Sequence, residues 1–173
     1  GLTRSNAELI ARVEDRVVYG GTPADASVIE AIEALNEAGQ DVMFYPFLLM
    51  EILEGNGLPD PWRETGDQPV LPWRGRITGE KAPGIAGSPD RTAAADAEVA
   101  AFFGTASASD FTVSAGSVTY SGPSEWRYRR FILHCAALAA AAGGVESFCI
   151  GSEMRSLTQL RGASGFPAVQ ALI

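Results

Sequence analysis

The sequence has few of the residues that build metal centres or covalent scaffolds. It holds one histidine, His134, and two cysteines, Cys135 and Cys149. That excludes a multi-histidine metal site within this chain and a disulfide framework. The cysteines lack metal-ligand spacing and read as small buried apolar residues. No apolar stretch reaches the roughly 18 residues a membrane-crossing helix needs; the nearest, 131–145, contains His134 and runs into Gly143-Gly144. Basic residues are outnumbered 13 to 21, for a formal net charge of −8. Such a chain repels a phosphate backbone, so nucleic acid is not an expected partner, while neutral carbohydrate or another protein stays open. The Gly-Gly pairs at 20–21 and 143–144 lack a phosphate-loop pattern. Gly151-Ser152-Glu153 has no glycine two places after the serine, so it is not a nucleophile elbow. No cofactor and no metal are expected. The opening Gly-Leu-Thr-Arg-Ser-Asn-Ala lacks the apolar core of a signal peptide. The start without Met, and an end at Ala171-Leu172-Ile173 inside an apparent helix, give the expectation of a piece excised from a longer protein.

What is present is a globular composition: 46% hydrophobic and 20% charged over 173 residues, enough for one domain with a core. Asn6 to Val13 reads as one or two helical turns, Asp15-Arg16 as a turn, and Val17-Val18-Tyr19 as a short strand closed by Gly20-Gly21-Thr22-Pro23. Asp25 or Ser27 is placed to cap a helix carrying Val28, Ile29, Ile32 and Leu35 at helical spacing, with Gly39 ending it. Val42 to Tyr45 then reads as a buried strand stopped by Pro46. From Pro46 to Pro89 the chain holds seven prolines, Trp62 and Trp73, and no sustained period. This reads as a long ordered loop after a strand, the place where a barrel builds its binding face.

Ser88 or Asp90 is placed to cap the next helix, Ala93 to Phe103, with Ala97, Val99, Ala100, Phe102 and Phe103 as its apolar face and Gly104 as its stop. Phe111-Thr112-Val113 and Ser117 to Tyr120 alternate weakly, as a small hairpin does. Ser124 is placed to cap the longest helix, Arg127 to Ala142. Glu125 to Arg130 reads as a solvated face around a buried Trp126. Gly144 to Met154 is a short strand with an apolar run at Phe148, Cys149 and Ile150, stopping at Glu153. Arg155 to Leu160 reads as a helical turn, Gly162 to Gly165 as a loop, and Pro167 as the first position of a last helix. Strands alternating with helices argue for an α/β fold with a parallel sheet.

Glu153 is the sharpest candidate for chemistry. A glycosidase needs a carboxylic acid to protonate the leaving oxygen, and burial at a strand end raises a carboxyl pKa toward that role. The competing reading is a glutamate stabilising a helix start or pairing with Arg155. Tyr45 and Phe47 either line a pocket or pack in the core. Trp62 and Trp73 either stack on sugar faces or pin the long loop. Arg74 and Arg76 suit an acidic sugar or a carboxylate of the protein itself, and Glu51, Asp60 and Asp67 carry no marking pattern. His134, in an apolar helix, reads as structural.

Four stretches carry a family resemblance: Tyr45-Pro46-Phe47-Leu48-Leu49-Met50, Gly55-Asn56-Gly57-Leu58-Pro59-Asp60-Pro61-Trp62, Pro72-Trp73-Arg74-Gly75-Arg76-Ile77 and Phe148-Cys149-Ile150-Gly151-Ser152-Glu153-Met154. Together they resemble the glycoside-hydrolase-type TIM-barrel-like domain of gene transfer agent and phage tail proteins, and the resemblance runs from Gly20 onward. It implies that residues 1–173 are a segment of a (β/α)8 TIM-barrel-like domain with a long Pro/Trp-rich βα loop, the strands at 42–46 and 145–151 being consecutive. It also implies that Gly151-Ser152-Glu153 is similar to the strand-four Asn-Glu of a large retaining glycosidase clan. Glu153 then stands at the acid/base position, and Ser152 replaces the Asn that contacts the sugar 2-hydroxyl. The clan's nucleophile would lie three strands later, beyond Ile173.

The function this implies is a tail or baseplate component of a virion-like particle, made in the bacterial cytoplasm, that engages or cleaves cell-surface polysaccharide or peptidoglycan. Substrate-binding residues would be Tyr45, Phe47, Trp62, Trp73, Arg74 and Ser152. The rival is a non-catalytic structural or glycan-binding module; an unrelated cytoplasmic α/β enzyme is weaker because no cofactor motif is present. Expected partners are other tail proteins and, through exposed sheet edges, further copies of the chain.

Overall fold

The computed structural model describes residues 12–13, 16–17, 23–48, 52, 54–70, 76–114 and 116–173. Of the helical turns expected over Asn6 to Val13, Arg12–Val13 is strand instead, and the rest lie outside the described residues, as do Val18 to Thr22 and the candidates Trp73 and Arg74. The elements in chain order are β1 (Arg12–Val13), β2 (Arg16–Val17), α1 (Asp25–Glu37), β3 (Met43–Phe44), α2 (Ala93–Phe103), β4 (Phe111–Ser114), β5 (Ser117–Tyr120), α3 (Tyr128–Ala141), β6 (Ser147–Phe148), α4 (Arg155–Thr158) and α5 (Pro167–Leu172). Helices, a parallel pair and antiparallel hairpins coexist, so the chain is mixed α/β.

The chain divides into two compact units. Unit one runs to Pro46 and resumes over Phe103–Cys149; unit two comprises Phe47–Phe102 and Ile150–Ile173. In unit one, β3 and β6 pair in parallel, Met43 opposite Ser147 and Phe44 opposite Phe148. The two strands that the resemblance made consecutive are therefore direct neighbours. Bonds from Ser147 N–H to Val42 O (3.2 Å) and from Cys149 N–H to Phe44 O (2.9 Å) tie the ladder. Ile29 and Ile32 of α1, Val42, and Leu138 and Ala142 of α3 form the core, with Phe44 and Val145 packed on it. Burying Ile29, Ile32, Val42 and Leu138 stabilises by about 1.5–3 kcal/mol each.

Among the described residues, the core packs on one face of this pair. Val42 is buried while Met43 is 69% exposed, and Tyr45 and Ile150 are exposed too. The expectation of a buried strand at 42–45 is thus corrected: α1 and α3 pack on one side, and the period of two turns alternate residues away from them. Leu35, placed on the apolar stripe of α1, is exposed as well. Cys135 is buried, and burial first, then the nearby Asp25 carboxylate, pushes its thiol up to about 12. Cys149 is half-buried, departing from the expected burial. His134 Nε2 lies 3.0 Å from Asp25 Oδ1, linking α3 to α1.

The hairpin forms as its alternation suggests, with Phe111 opposite Tyr120 and Ser114 opposite Ser117. Helix bodies agree with the sequence reading, but their caps do not. Ala24 and Arg127 occupy the N-cap positions of α1 and α3. Thr92 caps α2, its Oγ1 accepting from Ala94 N–H at 3.2 Å. The buried residues of α2 are Ala95, Val99 and Phe103, while Ala97 and Ala100 are exposed. Nor is Glu125 to Arg130 a solvated face. Arg130 is buried, its guanidinium 3.7 Å from the Tyr120 ring centroid and 3.8 Å from that of Trp126. Trp126 is half-buried. A cation between two rings is attracted to both, so the hairpin is fastened to the start of α3.

In unit two, Asp90 does not cap a helix either. It accepts from Arg161 through both the backbone N–H (2.8 Å) and the guanidinium. That side-chain hydrogen bond, the largest effect, holds the Asp90 carboxyl below its ordinary range although burial opposes it. An Asp is released at about pH 3.9 in an unfolded chain. The contribution is complete above that value and is lost as pH falls through the lower folded one. Asp90→Asn is expected to flatten the acid limb of unit-two stability, read as urea midpoints between about pH 2 and 6. An unchanged acid limb would refute it.

Candidate functional site

The parallel ladder ends at Cys149, and Ile150-Gly151-Ser152-Glu153 follows before α4. Glu153 has φ 52°, a left-handed conformation uncommon for a residue with a Cβ. It precedes Met154, the N-cap of α4. Met154 is buried, and so are Ser156 and Leu157 of the turn that follows, so the backbone on the C-terminal side of Glu153 is anchored by packing. Glu153 itself is exposed and Ser152 is half-buried. The burial from which an acid role was argued is not present; the position is an exposed carboxylate on a constrained turn. Outliers of this kind concentrate at functional turns.

Tyr45 and Phe47 are both exposed and keep accessible aromatic surface. Of their two readings, core packing is the one this exposure opposes. Trp62 is different. Its indole N–H donates to Arg76 O at 2.8 Å, and the Arg76 guanidinium lies 5.5 Å from its ring centroid. Its donor is spent inside its own segment, which is the pinning arrangement.

The residue that organises this segment is one the sequence did not mark. Asp60 is 2% exposed. Its carboxylate accepts from Trp62 N–H at 2.9 Å and from Arg76 at 3.1 and 3.3 Å, with Arg63 3.6 Å away. Lys81 donates to Arg63 O at 2.8 Å, and Ala82 N–H to Pro61 O at 2.8 Å. Arg76 thus pairs with a carboxylate of the protein itself. The Asp60-Pro61-Trp62 spacing was a usable signal, since an Asp side chain readily bonds the amide two residues on.

Unit two also holds a cleft of about 240 Å³. Val99, Phe102, Leu157 and Leu160 give it an apolar lining, and Thr78, Glu80 and Glu98 a polar one. Glu98 Oε2 accepts from Glu80 N–H at 2.8 Å. Leu157 belongs to α4, the turn that Glu153 leads into. Among the described residues, no cluster of three or more His, Cys, Asp or Glu is arranged to hold a metal ion. No helix of the described residues is long and apolar enough to cross a membrane.

The segment that runs through α3, β6 and the Glu153 turn is similar to a known family. Residues 126–173 match the GTA TIM-barrel-like domain. This is the gene transfer agent family that the sequence resembles, and the matched segment contains Gly151-Ser152-Glu153. The other three resembling stretches precede it. No curated protein matches the chain. The match covers 126–173 alone; the mixed α/β elements and the parallel β3–β6 pair are what a TIM-barrel-like class contains.

Proposed function

We propose that this chain is part of a tail or baseplate protein of a gene transfer agent particle. Its glycosidase-like (β/α)8 barrel engages host cell-surface polysaccharide or peptidoglycan, and Glu153 acts as general acid/base on a glycosidic bond. The observation that supports this most is the GTA TIM-barrel-like match over a segment in which a parallel strand leads directly to Glu153. Exposed Tyr45 and Phe47 offer flat apolar surface for sugar faces. Ser152, Trp73 and Arg74 complete the proposed binding set. The nucleophile would come from chain beyond Ile173, with its carboxyl about 5 Å from Glu153 in a retaining enzyme.

A second reading, a glycan-recognition surface without hydrolysis, is favoured by the exposure of Glu153 and by serine at position 152. One experiment separates the two. Glycan release from isolated host envelope is measured with the full-length parent protein, wild type against Glu153→Gln. General acid/base groups contribute about 10²–10⁴-fold, so release should fall at least a hundredfold with envelope binding retained. Binding without release by either protein would select the recognition reading, and absence of binding would remove both.

A further inference from the structure

Asn56-Gly57, in unit two, is the one place in the sequence where glycine follows asparagine; Asn6 and Asn36 precede alanine and glutamate. An asparagine in that context carries its own reaction. The Gly57 amide nitrogen attacks Asn56 Cγ, and glycine has no Cβ to obstruct the approach. A bond forms between Gly57 N and Asn56 Cγ, and the Cγ–Nδ2 bond breaks. The Gly57 amide proton leaves with Nδ2 as ammonia. Water then opens the cyclic imide at either carbonyl, which leaves aspartate or isoaspartate at position 56. The step needs no oxidant and no second enzyme.

In the structure each reacting group is engaged elsewhere. Gly57 N–H donates to Asp67 Oδ2 at 3.1 Å. Asn56 Nδ2 donates to Gln68 O at 2.9 Å, and Asn56 Oδ1 accepts from Leu58 N–H at 2.8 Å. The Asp67 carboxylate opposes deprotonation of the attacking nitrogen, because it would place two negative charges side by side. The bond to Gln68 O holds the leaving group, and the bond from Leu58 fixes the side chain in an Asx turn. Asp67 and Gln68 lie on the returning arm of the same loop. Gln68 N–H donates to Leu58 O at 2.8 Å, Asp60 N–H donates to Gly66 O at 3.0 Å, and Pro59 bridges Asp67. Cyclisation therefore requires the two arms to part first. Gly57 is exposed, so water reaches the site.

We propose that Asn56-Gly57 is a self-modification site: a deamidation that the closed 56–68 loop holds back and that, once made, keeps the loop from closing again. The product carries a carboxylate where Nδ2 was. That carboxylate and Gln68 O are both acceptors, and a second negative charge joins Asp67 in one turn. Isoaspartate also adds a methylene to the backbone there. Loss of ammonia makes the change one-way, so its extent counts the time the loop has spent open. The loop contains Asp60 and Trp62, so the change acts on the network that fastens Arg76.

Peptide mass spectrometry of the full chain, incubated at mildly alkaline pH, tests this with Asn6 and Asn36 as internal references. Local opening sets the rate, so conversion at Asn56 should be slower by about tenfold or more in native buffer than in guanidinium chloride. Asp67→Ala removes the acceptor of Gly57 N–H and should raise the native rate about tenfold, the worth of one hydrogen bond. Asn56→Asp supplies a product directly and should hasten trypsin cleavage at Arg63. Equal rates in the native and unfolded chain overturn the proposal, whether or not the Asp67 variant folds. A folded Asp67→Ala that converts at the wild-type rate also overturns it. So does wild-type protease resistance in Asn56→Asp, since deamidation would then leave the loop closed.

Discussion

Gly104→Ala is expected to destabilise unit one by about 3–5 kcal/mol, the sum of left-handed strain and lost hydrogen bonds to a charged group. Gly104 ends α2 with φ 77° and is buried. A Cβ there would overlap Glu125 Oε1 and the Cβ and Cδ of Arg127. Glu125 has little freedom to move aside. Its carboxylate accepts from Thr105 N–H (2.6 Å), Ala106 N–H (2.9 Å) and the Thr105 hydroxyl (3.1 Å). Burial pushes the Glu125 carboxyl up, yet these donors together hold it below its ordinary range. On the other side Arg129 donates to Gly104 O at 2.8 Å. The internal control is Gly143→Ala. Gly143 has φ 87° and nothing within 4 Å of a Cβ, so only strain of about 1 kcal/mol is expected there. Denaturant midpoints of both variants measure the difference. Equal losses would show that the Glu125 contact contributes nothing.

Asp60→Ala should cost about 3 kcal/mol in unit two, because it leaves the Arg76 guanidinium and the Trp62 amide without their acceptor. The effect should be local before it is global. Trypsin cleavage at Arg63 and Lys81 should accelerate, and Trp62 emission should shift red as the indole loosens from Arg76 O. Asp60→Asn keeps the volume and an acceptor for Trp62 but loses the charge opposite Arg76, so it should fall between wild type and the alanine variant. Protease resistance unchanged in Asp60→Ala would mean that this network does not hold the segment.

These two positions also show where the sequence was readable. Helices α1, α2 and α3 declared themselves because their apolar residues recur at helical spacing and a glycine follows each. The hairpin was visible in weak alternation. The adjacency of the strands around Met43 and Ser147 came from family likeness, since parallel pairing leaves no local signature. What stayed hidden depends on contacts distant in sequence. Asp90 looked like a cap until Arg161, 71 positions away, claimed its carboxylate. Arg130 looked solvated because its two flanking rings come from either side of Gly122-Pro123. Asp60 was one loop carboxylate among several. At the candidate site the sequence located Glu153 at a strand end, but neither its left-handed backbone nor its exposure could be read from residue types.

The core of unit one ties together stretches far apart in the chain: Asn36 Nδ2 reaches Gly144 O across 108 positions, and His134 meets Asp25 across 109. Local pieces such as the β4–β5 hairpin and α3 can form as soon as they are made, since hairpins close in microseconds. The β3–β6 pair must wait until the chain has been made through Phe148, and long-range parallel pairing is intrinsically slow. During synthesis α1 and β3 therefore leave the ribosome with their apolar faces uncovered, and they stay so until α3 and β6 follow. That interval is when this chain is most open to chaperones and to misassembly.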